Sequence, residues 1–158
     1  MIDISAVGAK VTFHPNTGVA FTVSEFSDEG TPFEASDVDL STNAKNLNGE
    51  MISSRTPSVI PFAITVIPNS VSDHKLRSLA QKSLIQPGNN QASSVVYFTS
   101  VQVVFPANFT TDSGDAAGGK TEVTYHNVRF KSAPLGPSTS SEGRMAARTY
   151  SFEAESAS

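Results

Sequence analysis

Ser58 to Pro87 constrains the fold more than any other stretch of the chain. An apolar extended segment, with Ile60, Phe62, Ile64 and Val66 on one face, runs through Pro68-Asn69-Ser70 into a segment where Leu76, Leu79, Ala80 and Leu84 recur at helical spacing. Ser70 and Asp73 form a capping box and Gln86-Pro87-Gly88 is a stop, which predicts a helix over about Val71 to Ile85. The remaining patterned segments read as strands, so a single helix must be accommodated in a mainly β (α+β) domain. Pro61, lacking an N–H, places the start of its strand at a sheet edge.

Val19, Phe21 and Val23 alternate with polar residues and are expected to pair with Lys10 to Phe13 across His14-Pro15-Asn16-Thr17-Gly18. From Ser27 to Pro57 the alternation dissolves into acids, Asn, Ser and Thr, which predicts a long inter-strand loop over about 27–57. A loop of that length in a compact domain is either mobile or ordered by contact with another subunit, and the second reading is preferred. Ser94 to Phe105 is apolar on both faces and reads as a central strand. In Lys120 to Lys131 the apolar residues change from odd positions (Val123, Tyr125) to even ones (Val128, Phe130), which predicts a bulge near His126-Asn127. A Pro/Gly/Ser loop then leads to a last strand, Arg148 to Glu155, with Tyr150 and Phe152 inward and Glu153 and Glu155 facing the other way.

The 158 residues fit a single domain spanning 1–158, and the absence of cysteine excludes disulfides, thiolate metal sites and cysteine nucleophiles. No run approaches the ~20 apolar residues of a membrane span, and Met1 to Ser5 lacks the basic and apolar regions of a secretory leader, so a soluble, non-membrane protein is expected. Residues 1–50 hold eight acids against Lys10 and Lys45, a net −6, while the rest carries +2 of the total −4. The bases are scattered, which argues against gripping nucleic acid through its phosphates.

Gly114 to Thr121 satisfies the P-loop pattern, but that chemistry needs a helix directly after Lys120 to present backbone N–H groups to phosphate. Val123, Tyr125 and Val128 follow instead, and a glycine-rich hairpin loop is the better reading. His14, His74 and His126 have no paired spacing for a metal, and the acids from Glu25 to Asp39 lack the glycine and terminal glutamate of a calcium loop. Without a nucleophile elbow either, no catalytic, cofactor or metal residues are assigned, and no enzyme is expected.

The strand-to-helix unit Ile64 to Ser83, with its Val-Ile-Pro-Asn-Ser, and the closing Gly143-Arg-Met-Ala-Ala-Arg-Thr-Tyr-Ser-Phe-Glu153 resemble bacteriophage tail tube proteins. In that family the first motif reads V-I-P-(G/N)-S before a leucine-bearing helix, and the second is a basic segment leading into Thr-Tyr-x-Phe. The resemblance implies two packed antiparallel sheets forming a sandwich or partial barrel with one flanking helix. It implies subunits that assemble into stacked hexameric rings, the tail's inner tube, through which DNA is ejected. The implied location is the virion tail, after assembly in the host cytoplasm. Implied partners are further copies, a tail sheath, a baseplate hub and a tail terminator, with a tape measure protein and DNA passing through the lumen.

In such a tube the long segment corresponds to the loop that reaches the adjacent ring, which nominates Asp28, Glu29, Phe33, Asp37, Asp39, Leu47 and Met51 as contact residues. Glu122, Glu153 and Glu155 are candidates for a negative lumen wall that keeps DNA from sticking. The strand at Pro61 and the C-terminal strand are expected to be edges that pair with neighbours. The connection Pro106 to Gly119 departs from the tight turn of many relatives. The alternative is another β-sandwich virion or binding module, such as a capsid decoration, baseplate or glycan-binding protein; the lack of Trp and the placement of Tyr97, Tyr125 and Tyr150 on strands weigh against an aromatic platform.

Overall fold

The apolar alternation of the chain is realised as one strongly curled sheet. A computed structural model describes residues 8–27, 32–84, 96–105, 109–110, 116–117, 121–139 and 143–158. In chain order the strands are β1 (Lys10–Pro15), β2 (Phe21–Val23), β3 (Phe33–Ala35), β4 (Ser41–Lys45), β5 (Met51–Arg55) and β6 (Ile60–Val66). Helix α1 (Val71–Ser83) follows, then β7 (Phe98–Phe105), β8 (Phe109–Thr110), β9 (Ala116–Ala117), β10 (Thr121–Ser132) and β11 (Arg148–Ala157). Seven strands form an antiparallel sheet in the order β2-β1-β7-β10-β11-β6-β3, while β4-β5 and β8-β9 pair separately.

The degree of curl follows from ring distances. Phe13 on β1 and Phe152 on β11 stand three strands apart, roughly 14 Å in a flat sheet, yet their ring centroids are 5.4 Å apart. Phe33 on β3 reaches Phe105 on β7 at 6.0 Å. After β2 the chain crosses to the other margin, where Phe26 bridges Val66 and the Ser27 N–H donates to the Thr65 carbonyl at 3.1 Å. The mainly β architecture with a partial barrel and one helix is therefore as expected, with the two layers formed by opposite halves of one sheet. Val11, Phe13, Val23, Phe62, Ile64, Val66, Phe98, Val101, Val128, Tyr150 and Phe152 fill its interior.

The β1–β2 hairpin has the expected pairing, Val11 with Val23 and Phe13 with Phe21. Val19 lies before β2 and is 88% exposed, so it is not part of the alternating face. Strand β7 is central, between β1 and β10. Two edge assignments change. The last of these strands, β11, is not an edge: it pairs with β10 on one side and β6 on the other, with Tyr150, Phe152 and Ala154 inward. Strand β6 lies between β11 and β3, and the Pro61 carbonyl accepts from the Ser36 N–H. Because N–H and C=O of one strand residue point to the same side, the donor missing from Pro61 falls where β3 has already ended.

The change of apolar phase in β10 is present, but not as a bulge. Residues 125, 126, 128, 129 and 130 keep one register against β11, and 121 to 128 keep one against β7. Asn127 instead adopts φ +52 and drops out of both ladders. By register Asn127 lies opposite Thr99 and Glu155, and β7 switches phase at the same level, from buried Phe98 to buried Val101. A crease shared by neighbouring strands needs no extra residue in any one of them, which is why no register shift results. The register shifts lie elsewhere, between His14 and Pro15 and between Phe130 and Ser132.

Helix α1 starts at Val71 as expected and ends at Ser83, with Ile85 and the Pro87-Gly88 stop outside the described residues. Leu76 and Ala80 are buried, whereas Leu84 at the C-cap is exposed. The turn before the helix explains the Pro-(G/N) pattern. The Ser70 N–H returns to the Ile67 carbonyl, Pro68 supplies a fixed φ, and Asn69 has φ +63, a conformation open to glycine and asparagine but strained for most side chains. The long excursion between β2 and β6 holds β3, which adds to the main sheet, and the β4–β5 hairpin, so it is not bare loop.

Candidate assembly surfaces and a buried charge cluster

The β4–β5 hairpin is closed by Asn46-Leu47-Asn48-Gly49. Asn46 Oδ1 accepts from the backbone N–H groups of Asn48 and Glu50, both at 3.0 Å, and Gly49 takes φ +82. The Asn46 N–H donates to the Glu50 carbonyl at 2.9 Å and fixes the register Lys45 with Met51. Asparagine first and glycine fourth is the signature of a type I turn with a left-handed closing residue. All ten strand residues are exposed, so neither face rests on the main sheet. Leu47 at the tip is fully exposed, Met51 and Ile52 follow on β5, and Leu40 and Val59 flank the base. Two strands alone are marginal in water, and Met51 and Ile52, adjacent in β5, put exposed apolar side chains on both faces of this pair.

Of the contact residues nominated from the sequence, Leu47 and Met51 lie on this hairpin, and Asp37 and Asp39 lie exposed at its base. Phe33 belongs to β3 and is half-buried, its ring packed on Phe62 and Phe105. Asp28 and Glu29 lie outside the described residues.

The acidic lumen candidates have polar partners. Glu122 bonds Gln102, Asn127 donates to Glu155, and Glu153 lies 3.7 Å from Lys131 and across the strand from Arg129. Glu122 and Glu153 stand on the outer face of the curled sheet, opposite in phase to the buried Val103, Phe152 and Ala154. On that face Lys10 shares the cross-strand row of Glu122, Thr22, Thr12, Gln102 and Thr124 form a second row, and His14, Ser100, His126 and Ser156 form a further one. The His126 ring bonds Ser158 at 3.0 Å, while His74 is exposed on α1. Among the described residues no three His, Asp or Glu side chains form a group that would hold a metal, and no helix is long and apolar enough to cross a membrane. In the P-loop-like segment, residues 118–120 lie outside the described residues, but Thr121 opens strand β10 where phosphate binding would need a helix N-terminus.

One polar site went unrecognised in the sequence. Asp73 and Arg148 are 2% and 4% exposed, and Asp73 Oδ1 lies 3.0 Å from Arg148 Nε and accepts the Tyr150 hydroxyl at 2.7 Å. The Arg148 Nε hydrogen is not aligned on Oδ1, so that link is a charge contact; Nη2 donates to the Pro134 carbonyl at 2.6 Å. Asp73 Oδ2 accepts the Asn69 N–H at 3.0 Å, and the Asp73 N–H donates to Ser70 Oγ at 3.1 Å. The carboxylate thus reaches one residue further back than in a standard capping box. Burial, and then the hydrogen bond to Asp73, hold the Tyr150 hydroxyl well above the usual tyrosine range. The cluster ties the helix start to β11.

Comparison with known proteins places this geometry. A protein-family model described as "Tail fiber protein gp32" matches residues 2–158. No curated protein matches the chain. Among solved structures, the cap that terminates the tube of the anti-feeding prophage aligns with TM-score 0.55 and 13% identity, covering 100% of this chain and 91% of that one, a likeness of fold. An Hcp protein aligns with TM-score 0.45 and 10% identity over 94% of this chain and 89% of that one. The chain belongs to the tail fiber protein gp32 family and is a structural protein of the phage tail.

Proposed function

We propose that the protein is a self-assembling subunit of the tail's inner tube, forming hexameric rings that stack around a DNA conduit. The observation that carries this reading is the β4–β5 hairpin, which is ordered by its own turn yet exposed on both faces and tipped with apolar side chains. In the proposal the hairpin reaches an adjacent copy, and the neutral hydroxyl rows with partnered acids give a surface on which DNA finds few fixed cations. No reaction, cofactor or metal is assigned. Sheath, hub and terminator would meet the ends and outside of the tube, and the tape measure protein its lumen, within the virion.

A second reading, a single ring that caps a tube, is favoured by the full-length fold likeness to a tube-terminating cap. Electron microscopy of the purified protein across a concentration series separates the two. Stacked tubes with sixfold class averages support the tube subunit, isolated rings support the cap, and a monomer at every concentration, alone or with tail partners, sinks both.

A further inference from the structure

A groove of about 550 Å³ runs between α1 and the β1–β2 turn, lined by Val19, Phe21, Val71, His74, Lys75 and Lys82 among others. Its apolar lining descends from Val19 and Val71, 88% and 63% exposed at its mouth, to buried Phe21. Its rim is basic: Lys75 Nζ stands 5.5 Å over the Phe21 ring, and Lys82 lies two turns further along the same helix. The single acid of α1, Asp73, is turned inward onto Arg148 and adds no negative charge to the rim.

The complementary surface is on the same chain. Asp37-Val38-Asp39-Leu40 alternates two exposed carboxylates with apolar residues, and Leu40 is 77% exposed. The segment is held in place by backbone contacts: the Ser36 N–H to Pro61, Ser58 Oγ to the Asp39 carbonyl, and the Thr56 N–H to the Leu40 carbonyl. It is presented at the start of β6, whereas α1 follows the end of β6. A seven-residue strand separates them by roughly 20 Å, so a subunit cannot fill its own groove with its own segment.

We infer that the groove between α1 and the β1–β2 turn seats the Asp37–Leu40 segment of a second copy of this chain. Leu40 enters the apolar lining between Val19 and Val71, and the two aspartates meet Lys75 and Lys82. The two surfaces differ, so the contact is head-to-tail and each copy offers one free face of each kind, which propagates into a closed ring or a stack. The inference rests on the self-assembly reading and adds the receiving surface to it.

Charge swaps test the pairing in the full-length protein, with sedimentation reading assembly and circular dichroism reading the fold. K75E/K82E and, separately, D37K/D39K are each expected to raise the concentration for half-assembly by about tenfold or more, through like-charge contact. The Asp37 and Asp39 side chains are exposed, so the second pair tests the same contact even where the helix variant folds poorly. A chain carrying all four substitutions, or a mixture of the two double variants, is expected to assemble again. Unchanged assembly of either double variant overturns the inference and leaves the tube reading standing; so does loss without recovery in the fourfold chain, which assigns the charges to other partners. Failure of the unaltered protein to assemble at all refutes the tube reading instead.

Discussion

The seven-stranded sheet and the β4–β5 hairpin are both built from antiparallel ladders, yet one curls over its own apolar face and the other is open on both faces. Along β6, Phe62, Ile64 and Val66 are buried together, and β11 shows the same alternation with Tyr150, Phe152 and Ala154. Along β4 and β5 every residue is exposed, and the order comes from ladder hydrogen bonds and one asparagine-glycine turn. The sheet has its partner in its own far wall, through contacts such as Phe13 against Phe152. In the proposed assembly the hairpin's partner comes from outside, so stability and assembly would reside in different parts of the subunit and should respond to different substitutions.

The largest effects are expected inside the sheet. Phe152→Ala removes a ring that touches Phe13, Phe62, Phe98 and Phe130, and should cost about 3–5 kcal/mol in denaturant unfolding. A loss under ~1 kcal/mol would show that the interior repacks and that the contrast with the hairpin is overstated. Asp73→Ala leaves the Arg148 guanidinium buried without its counter-charge, and a loss of about 3–5 kcal/mol is expected.

Tyr150→Phe is milder. It deletes one hydrogen bond to a carboxylate, about 1.5–3 kcal/mol, and it should alter the alkaline limb of the stability curve. The folded-state pKa of Tyr150 is raised above an unfolded value near ~10, so its contribution is whole below that pH and is lost as pH climbs toward the folded value, because the unfolded chain releases the proton first. The variant should flatten that loss. Tyr125, also raised by burial, retains part of it. An unchanged alkaline slope would mean that Tyr150 does not ionise differently in the two states.

In the hairpin the order of effects reverses. Leu47→Asp should leave the unfolding midpoint of the isolated subunit where it is and abolish higher assemblies in sedimentation. Gly49→Ala meets no steric neighbour but forces a side chain into φ +82, a local penalty of about 1–2 kcal/mol. Faster amide exchange confined to residues 41–55, with global stability unchanged, is the expected signature.

The elements legible in the sequence are those whose side chains separate into wet and dry faces. Leu76 and Ala80, the pairing of β1 with β2 and the inward Tyr150 and Phe152 all declared themselves by period. Strands β4 and β5 did not, because with both faces in water no alternation exists to read; the clue was Asn46 followed three residues later by Gly49. The link between Asp73 and Arg148 joins residues far apart in the chain, and nothing local to either one announces it. The phase change at Asn127 was visible, but its cause was shared with β7, which no single segment reveals. The interior position of β11 was missed for a related reason: a half-buried strand reads alike at the middle and at the edge of a sheet.

That position makes β11 the join of the fold. Without its pairing the ladder divides into β2-β1-β7-β10 and β6-β3, with the β10 and β6 margins unpaired and the helix lacking its anchor on Arg148. The pairing that joins them is long-range and of a kind that forms slowly. Until β11 has paired, the helix that walls the groove has no anchor, so in the proposed assembly the groove is finished only once the two fragments are joined.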